Sequence, residues 1–174
     1  MRSRQSSRLK TYDYGQAGLY FITCVTLERQ CTFGDVQDDE MVHNAYGELV
    51  LEELTKTPQL RPTLELDAYV VMPNHVHFLL SFPEESTASS FTDVPRVGMP
   101  HNARAGTLGA VVGAFKSVTT RRIRAAGLAS FGWQRNYHEH IVRTEASLER
   151  IRRYIENNPK MWLEDAIHPD VKSD

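Results

Sequence analysis

An order of strand, helix, strand, strand, helix, strand, followed by one further helix, predicts an α+β fold: a ferredoxin-like βαββαβ antiparallel sheet with an additional C-terminal helix. Three observations predict it. Two runs with strand character flank the turn residues Pro73-Asn74, three other segments carry apolar residues at helical spacing, and a length of 174 residues suits a single core.

Tyr20 to Leu27 (YFITCVTL) is rich in aromatic and β-branched residues and reads as a first, buried strand. Phe33 to Val36 and Met41 to His43, separated by the polar Gln37-Asp38-Asp39-Glu40, are read as a small hairpin. Asn44 caps a helix over about 45–57, whose apolar positions include Ala45, Tyr46, Leu49, Val50 and Leu54, with Pro58 just beyond its end. Thr63 to Met72 alternates in the period of a strand, and His75 to Phe82 forms its antiparallel partner across the Pro-Asn turn. Residues 83–106, with Pro, Gly, Ser and Thr and little periodicity, form a long flexible loop. Thr107 caps a helix with Leu108, Val111, Val112, Phe115 and Val118 on one stripe, ending near Gly127. Trp133 to Val142 is the fourth strand. Thr144 opens the last helix, buried through Leu148, Ile151 and Ile155, and Pro159 ends it because the residue before proline is pushed away from helical geometry. This topology puts the first two helices on one face of the sheet and leaves the other for the last helix or a partner.

Composition narrows the function classes. Lys and Arg number 20 against 22 Asp and Glu, but Arg104 to Tyr154 holds ten basic residues and three acidic ones, a local balance of +7 against −9 for the rest. That asymmetry fits either a surface for a polyanion or a solvated Arg/Glu face. Two cysteines, Cys24 and Cys31, supply neither a disulfide framework nor a four-thiolate zinc site. No apolar run reaches the roughly 18 residues of a membrane span, and the N-terminus lacks a secretory pattern. The expectation is a soluble, cytoplasmic protein with no membrane partner.

Strand periodicity sets His75 and His77 together on the face opposite Val76, Phe78, Leu80 and Phe82, at a spacing that lets two imidazoles share a cation. His138 and His140 form a rival pair by the same argument, and spacing does not choose between them. On the last helix Tyr154 and Asn158 are four apart and share a face. A tyrosine can be a nucleophile and an amide oxygen a ligand for a hard cation; Tyr137, between Asn136 and His138, competes for the first role.

The segments YDYGQAGLYFITCVT (Tyr12 to Thr26), AYVVMPNHVHFLLSF (Ala68 to Phe82), GTLGAVVGAFKSVTTRRI (Gly106 to Ile123), WQRNYHEHIVR (Trp133 to Arg143) and IRRYIENNPKMW (Ile151 to Trp162) resemble the REP-associated tyrosine transposases, of the HUH single-tyrosine transposase superfamily. The resemblance runs from about residue 8 to 163, and MPNHVH together with YIENNP is its most specific part. It implies a single-strand DNA endonuclease and strand transferase that forms a 5′-phosphotyrosine at hairpin-containing sites during DNA transposition. By the same resemblance, Tyr154 is the catalytic nucleophile and His75, His77 and Asn158 hold a divalent metal. Tyr137, His138 and His140 then fall to structural or DNA-contacting roles. The domain organisation implied is a basic N-terminal arm over 1–19, a transposase domain over 20–163 containing the 83–106 loop, and a tail over 164–174.

The implied chemistry is coherent. Tyrosine titrates near ~10, so an ion such as Mg²⁺ or Mn²⁺ that polarises the phosphate offsets the charge that develops. Ligand softness favours Mn²⁺ and abundance favours Mg²⁺. No nucleotide cofactor is needed, since the covalent link conserves the phosphodiester energy. Arg121, Arg122, Arg124, Arg135, Arg143, Arg152 and Arg153, with Arg2, Arg4, Arg8 and Lys10 of the arm, are the candidate phosphate contacts. The expected partner is single-stranded DNA with palindromic hairpins. A homodimer is the protein partner the resemblance brings in, because relatives include monomers and dimers with exchanged helices. The alternative reading is a non-catalytic ferredoxin-like module for single-stranded nucleic acid, or a domesticated relative without activity.

Overall fold

The computed structural model describes residues 17–82 and 107–171; the basic residues of the N-terminal arm, the 83–106 loop and residues 172–174 lie outside the described residues. In chain order the elements are β1 (Gly18–Val25), β2 (Gly34–Gln37), β3 (Glu40–His43), α1 (Ala45–Leu60), β4 (Glu65–Met72), β5 (His75–Phe82), α2 (Leu108–Ala125), β6 (His138–Val142) and α3 (Glu145–Asn157). The main sheet runs β4-β5-β1-β6 with every neighbouring pair antiparallel, and β2 and β3 form a separate hairpin. This is the ferredoxin-like βαββαβ arrangement with a third helix after the last strand. Among the described residues no helix is long and apolar enough to cross a membrane.

The two sheet faces divide the work. Tyr20, Ile22 and Cys24 of β1 and Val76, Phe78 and Leu80 of β5 join Val50 and Leu54 of α1 and Val111, Val112, Phe115 and Ile123 of α2 in the main core. Burying each such large side chain stabilises the fold by about 1.5–3 kcal/mol. On the opposite face Leu79 meets Ile151 and Ile155 of α3, with Phe21, Val70, Val142 and Leu148 packed around them. The sequence-predicted caps form: Asn44 accepts from Tyr46 and Gly47, Thr107 from Ala110, and Thr144 from Ser147.

Five local departures from the sequence reading have physical causes. Leu27 leaves β1 for a 3-10 turn over Leu27–Arg29, in which Glu28 and Arg29 take φ of 55° and 56°. Pro58 lies inside the last turn of α1, where its missing N–H deprives only the carbonyl four residues earlier of a donor while Arg61 N–H closes the helix on Thr57 and Pro58. In β4 a register shift between Leu66 and Tyr69 breaks the alternation, so Leu66 and Val71 join the main core while Ala68 and Val70 face α3. The fourth strand begins at His138 rather than Trp133. Upstream, the Lys116 ammonium donates to the carbonyls of Gln134, Arg135 and Asn136 at 2.6, 3.3 and 3.4 Å, replacing strand pairing with a cationic clasp, and Trp133 keeps only a bridge to Thr26. Finally, Asn158 stays helical (φ −58°, ψ −40°), so α3 ends because Pro159 has no N–H to continue it and not because its predecessor is displaced.

Lys116 is half-buried, and burial lowers its pKa, while the three carbonyls accept from its ammonium. Changing Lys116→Met keeps the stem and removes the donor. The expected loss is about 1–3 kcal/mol, read as a lower urea midpoint; an unchanged midpoint would contradict the clasp.

Candidate active site

Cross-strand partners share a face of a sheet, and one row of partners crosses all four strands: Val70 on β4, His77 on β5, Thr23 on β1 and His138 on β6. The next rows set His75 beside Val25 and Met72, and His140 beside Phe21 and Leu79. Both histidine pairs therefore lie on the α3 face. His75 and His77 occupy the interior strand β5 and are buried, whereas His138 and His140 are exposed on edge strand β6. Tyr137 packs against the main core, on the other side of the sheet from Tyr154.

Hydrogen bonding defines the tautomer of His75. Asn74 is fully buried and its amide N–H groups donate to the carbonyls of Arg29 (3.1 Å) and Ile167 (3.0 Å). Its Oδ1 is thereby turned toward His75 Nδ1 at 2.8 Å, which must donate. Burial holds the His75 pKa well below the ordinary imidazole value, so the ring is neutral and Nε2 carries a lone pair. That lone pair faces Asn158 Oδ1 at 3.3 Å, and Asn158 is held in this orientation because its Nδ2 donates to Asp165 Oδ2 at 3.0 Å. Two acceptors facing one another in a buried place suit a cation between them.

His77 is arranged in parallel. Its Nδ1 meets Thr23 Oγ1 at 2.8 Å, leaving Nε2 at 3.2 Å from the Tyr154 hydroxyl. Burial, then the neighbouring His75, lowers its pKa as well. The His75 and His77 rings lie 4.5 Å apart, and Phe21 stacks on His77 at 5.2 Å. Imidazole nitrogens of both histidines and a carboxylate oxygen of Asp165 all lie within 4.8 Å of one another. Two neutral imidazoles, a carboxylate and an amide oxygen, with no sulfur, fit a divalent cation such as Mn²⁺ or Mg²⁺.

The structure thus brings together His75, His77, Asn158 and Tyr154, all named from sequence, and adds Asp165, which the sequence reading leaves in the tail. Asp165 is buried, accepts the Ile167 N–H at 2.7 Å through Oδ1, and places Oδ2 3.5 Å from the Tyr154 hydroxyl and 3.9 Å from His75 Nε2. Nothing in its local pattern marks it; only the fold returns it to β5. Tyr154 is exposed through much of its ring, while burial of its hydroxyl end and the Asp165 charge push its pKa up to about 12. A cleft of about 310 Å³ opens beside the hydroxyl, lined by Phe21, His77, Gln134, His138 and Asp165 among others.

The seven arginines named from sequence do not gather at this cleft. Arg121, Arg122 and Arg124 sit on α2, in the layer across the sheet; Arg122 pairs with Glu52 at 2.6 Å and with Glu53, and Arg124 Nε donates to Phe131 O. Arg152 makes a bidentate pair with Asp67 at 2.9 and 2.6 Å and a third bond to Glu149. Arg135, Arg143 and Arg153 are exposed, and Arg153 adjoins Tyr154 in the chain.

No family profile matches the chain. It is 34% identical over 169 residues to an uncharacterized Haemophilus influenzae protein, covering 96% of this chain and 94% of that one. It is 25% identical over 171 residues to a second Haemophilus influenzae protein, assigned to the REP-associated tyrosine transposases, covering 93% of this chain and 86% of the other. Among solved structures, a REP-associated tyrosine transposase bound to a REP hairpin aligns over 90% of this chain and 74% of its own, with TM-score 0.58 at 22% identity, a likeness of fold.

Because His75 and His77 are held neutral by burial, the unfolded chain binds more protons than the folded one once pH drops below the ordinary imidazole pKa. Their burial costs nothing above about pH 6.5 and destabilises increasingly below it. In metal-free protein kept in EDTA, the urea midpoint should fall from about pH 7 to about pH 5, and His75→Asn should shrink that fall. A midpoint equally steep in the variant would contradict a neutral, buried His75.

Proposed function

We propose that the chain, which resembles the REP-associated tyrosine transposases in sequence and in fold, is a metal-dependent single-strand DNA endonuclease and strand transferase acting at hairpin-containing sites. The observation that carries the reading is the Tyr154 hydroxyl, 3.2 Å from His77 Nε2 at the edge of a buried cluster of cation donors and open to a cleft.

His75 Nε2, His77 Nε2 and Asn158 Oδ1 would hold the ion, with Asn74 and Thr23 fixing the two rings from behind. A bound Mg²⁺ or Mn²⁺ supplies Lewis acidity at the scissile phosphate and lowers the cost of a phenolate beside it. Tyr154 Oη would attack phosphorus as its proton passes to Asp165 Oδ2, 3.5 Å away, and the bond from phosphorus to the 3′-oxygen would break, the leaving oxygen taking a proton from solvent to give a 3′-hydroxyl and a 5′-phosphotyrosine. Attack by another 3′-hydroxyl reverses the step and joins strands. Burial and the Asp165 charge push the Tyr154 pKa up to about 12, so the phenol is protonated at neutral pH and needs its proton removed in the step. Exposed Arg121, Arg135, Arg143 and Arg153 are proposed phosphate contacts.

A pool of single-stranded hairpin oligonucleotides incubated with Mn²⁺ should give a covalent protein-DNA adduct on a denaturing gel. EDTA, Tyr154→Phe and His75→Ala should each abolish it, a loss of about 10³-fold or more, as expected where a nucleophile or the charge that assists it is removed. An adduct persisting in Tyr154→Phe would overturn the nucleophile assignment. Tight hairpin binding without any adduct would favour the binding-module reading.

A further inference from the structure

The cleft beside Tyr154 contains two polar side chains that the chemistry above does not use. Thr23 is engaged by His77, Asp165 by Asn158 and Ile167, and Arg29 donates to the Val171 carbonyl. By contrast, among the described residues no protein group takes the side-chain amide of Gln134 or the ring of His138, although both line the cleft. Their backbones are held firmly. Gln134 N–H donates to Val25 O at 2.8 Å and its carbonyl accepts from Lys116 Nζ at 2.6 Å, while His138 is paired to Thr23 at the start of β6. A rigid main chain carrying an unengaged amide into a site is how proteins present a donor and an acceptor to a ligand at low ordering cost.

We infer that Gln134 reads the base next to the scissile phosphate and that His138 holds the adjoining phosphodiester as a hydrogen-bond donor. This rests on Tyr154 being the reacting hydroxyl. At about 310 Å³ the cleft is of the size of one nucleotide, and the group assigned to it is the unpaired residue flanking the cut. Phe21, stacked on His77 and edge-on to Tyr154 at 6.0 Å, gives that cleft an aromatic wall against which a base packs. A glutamine amide offers both a donor and an acceptor, which pair with the two-sided edge of adenine; a carboxylate in its place offers acceptors alone and favours cytosine. The hairpin is thus recognised elsewhere, and the position of the cut is set in part by this one side chain.

The test uses the full chain and a hairpin pool with a randomised single-stranded flank, sequencing the DNA released from adducts. Wild type should show a preference of about tenfold or more at one position beside the cut. Gln134→Ala should flatten that position and leave others unchanged, Gln134→Glu should change the preferred base, and His138→Ala should lower yield for all sequences alike. Base preferences identical in wild type and both Gln134 variants would overturn the inference. Fluorescence anisotropy with dA, dC, dG and dT dodecamers reads the same contact without cleavage: Gln134→Ala should reduce discrimination among the four, and unchanged discrimination would overturn it. If wild type gave no adduct while anisotropy still responded to Gln134→Ala, the strand-cleavage reading would fail and the base contact would stand.

Discussion

One buried hydrogen bond, from His75 Nδ1 to Asn74 Oδ1, determines what the rest of the site can do. It exists because the Asn74 amide is oriented by carbonyls from two distant parts of the chain, Arg29 after β1 and Ile167 beyond α3. The backbone of the same residue accepts the Thr26 N–H, and Pro73 O accepts from Thr32 and Phe33. The turn between β4 and β5 therefore gathers three segments, and its reward is a neutral imidazole with its lone pair aimed inward. An aspartate at this position would bring charge to a residue wholly out of solvent, and an alanine would leave two carbonyls and an imidazole N–H without partners.

From that constraint the division of the sheet follows. The helices α1 and α2 cover one face with an apolar core dense enough to tolerate a polar layer on the other. On the second face α3 packs through Ile151 and Ile155 against Leu79, and the segment after it brings Trp162 and Asp165 to His75, so Tyr154 one position from Ile155 stands at the margin of a dry contact and an open cleft. The polar residues there are costly to bury singly but mutually satisfied: Thr23 with His77, Asn74 with His75, and Asn158 with Asp165. Their pairing explains why a helix carrying an exposed tyrosine ends so firmly over the histidines.

Much of this was legible in sequence because strand and helix periods are local. The turn at Pro73-Asn74, the caps at Asn44, Thr107 and Thr144, and the shared face of His75 and His77 depend on neighbours within a few residues. Spacing by itself left His138 and His140 level with the β5 pair, and only strand order separates interior from edge. Asp165 was illegible, since its role comes from a chain reversal after Pro159 that no periodicity encodes. The early end of strand pairing before β6 was likewise hidden, because it depends on Lys116 reaching from another element. Charge counting marks a basic segment and carries no geometry: Arg122 and Arg152 are engaged by carboxylates, and α2 packs on the face of the sheet opposite α3.

The central claim is that the Tyr154 oxygen becomes bonded to phosphorus at a 5′ end. Tandem mass spectrometry of a nuclease-trimmed protein-DNA adduct reads that bond directly. The account predicts a nucleotide remnant on the peptide containing Tyr154, attached through its 5′-phosphate. A remnant on Tyr137 or another residue, or one attached through a 3′-phosphate, would contradict it.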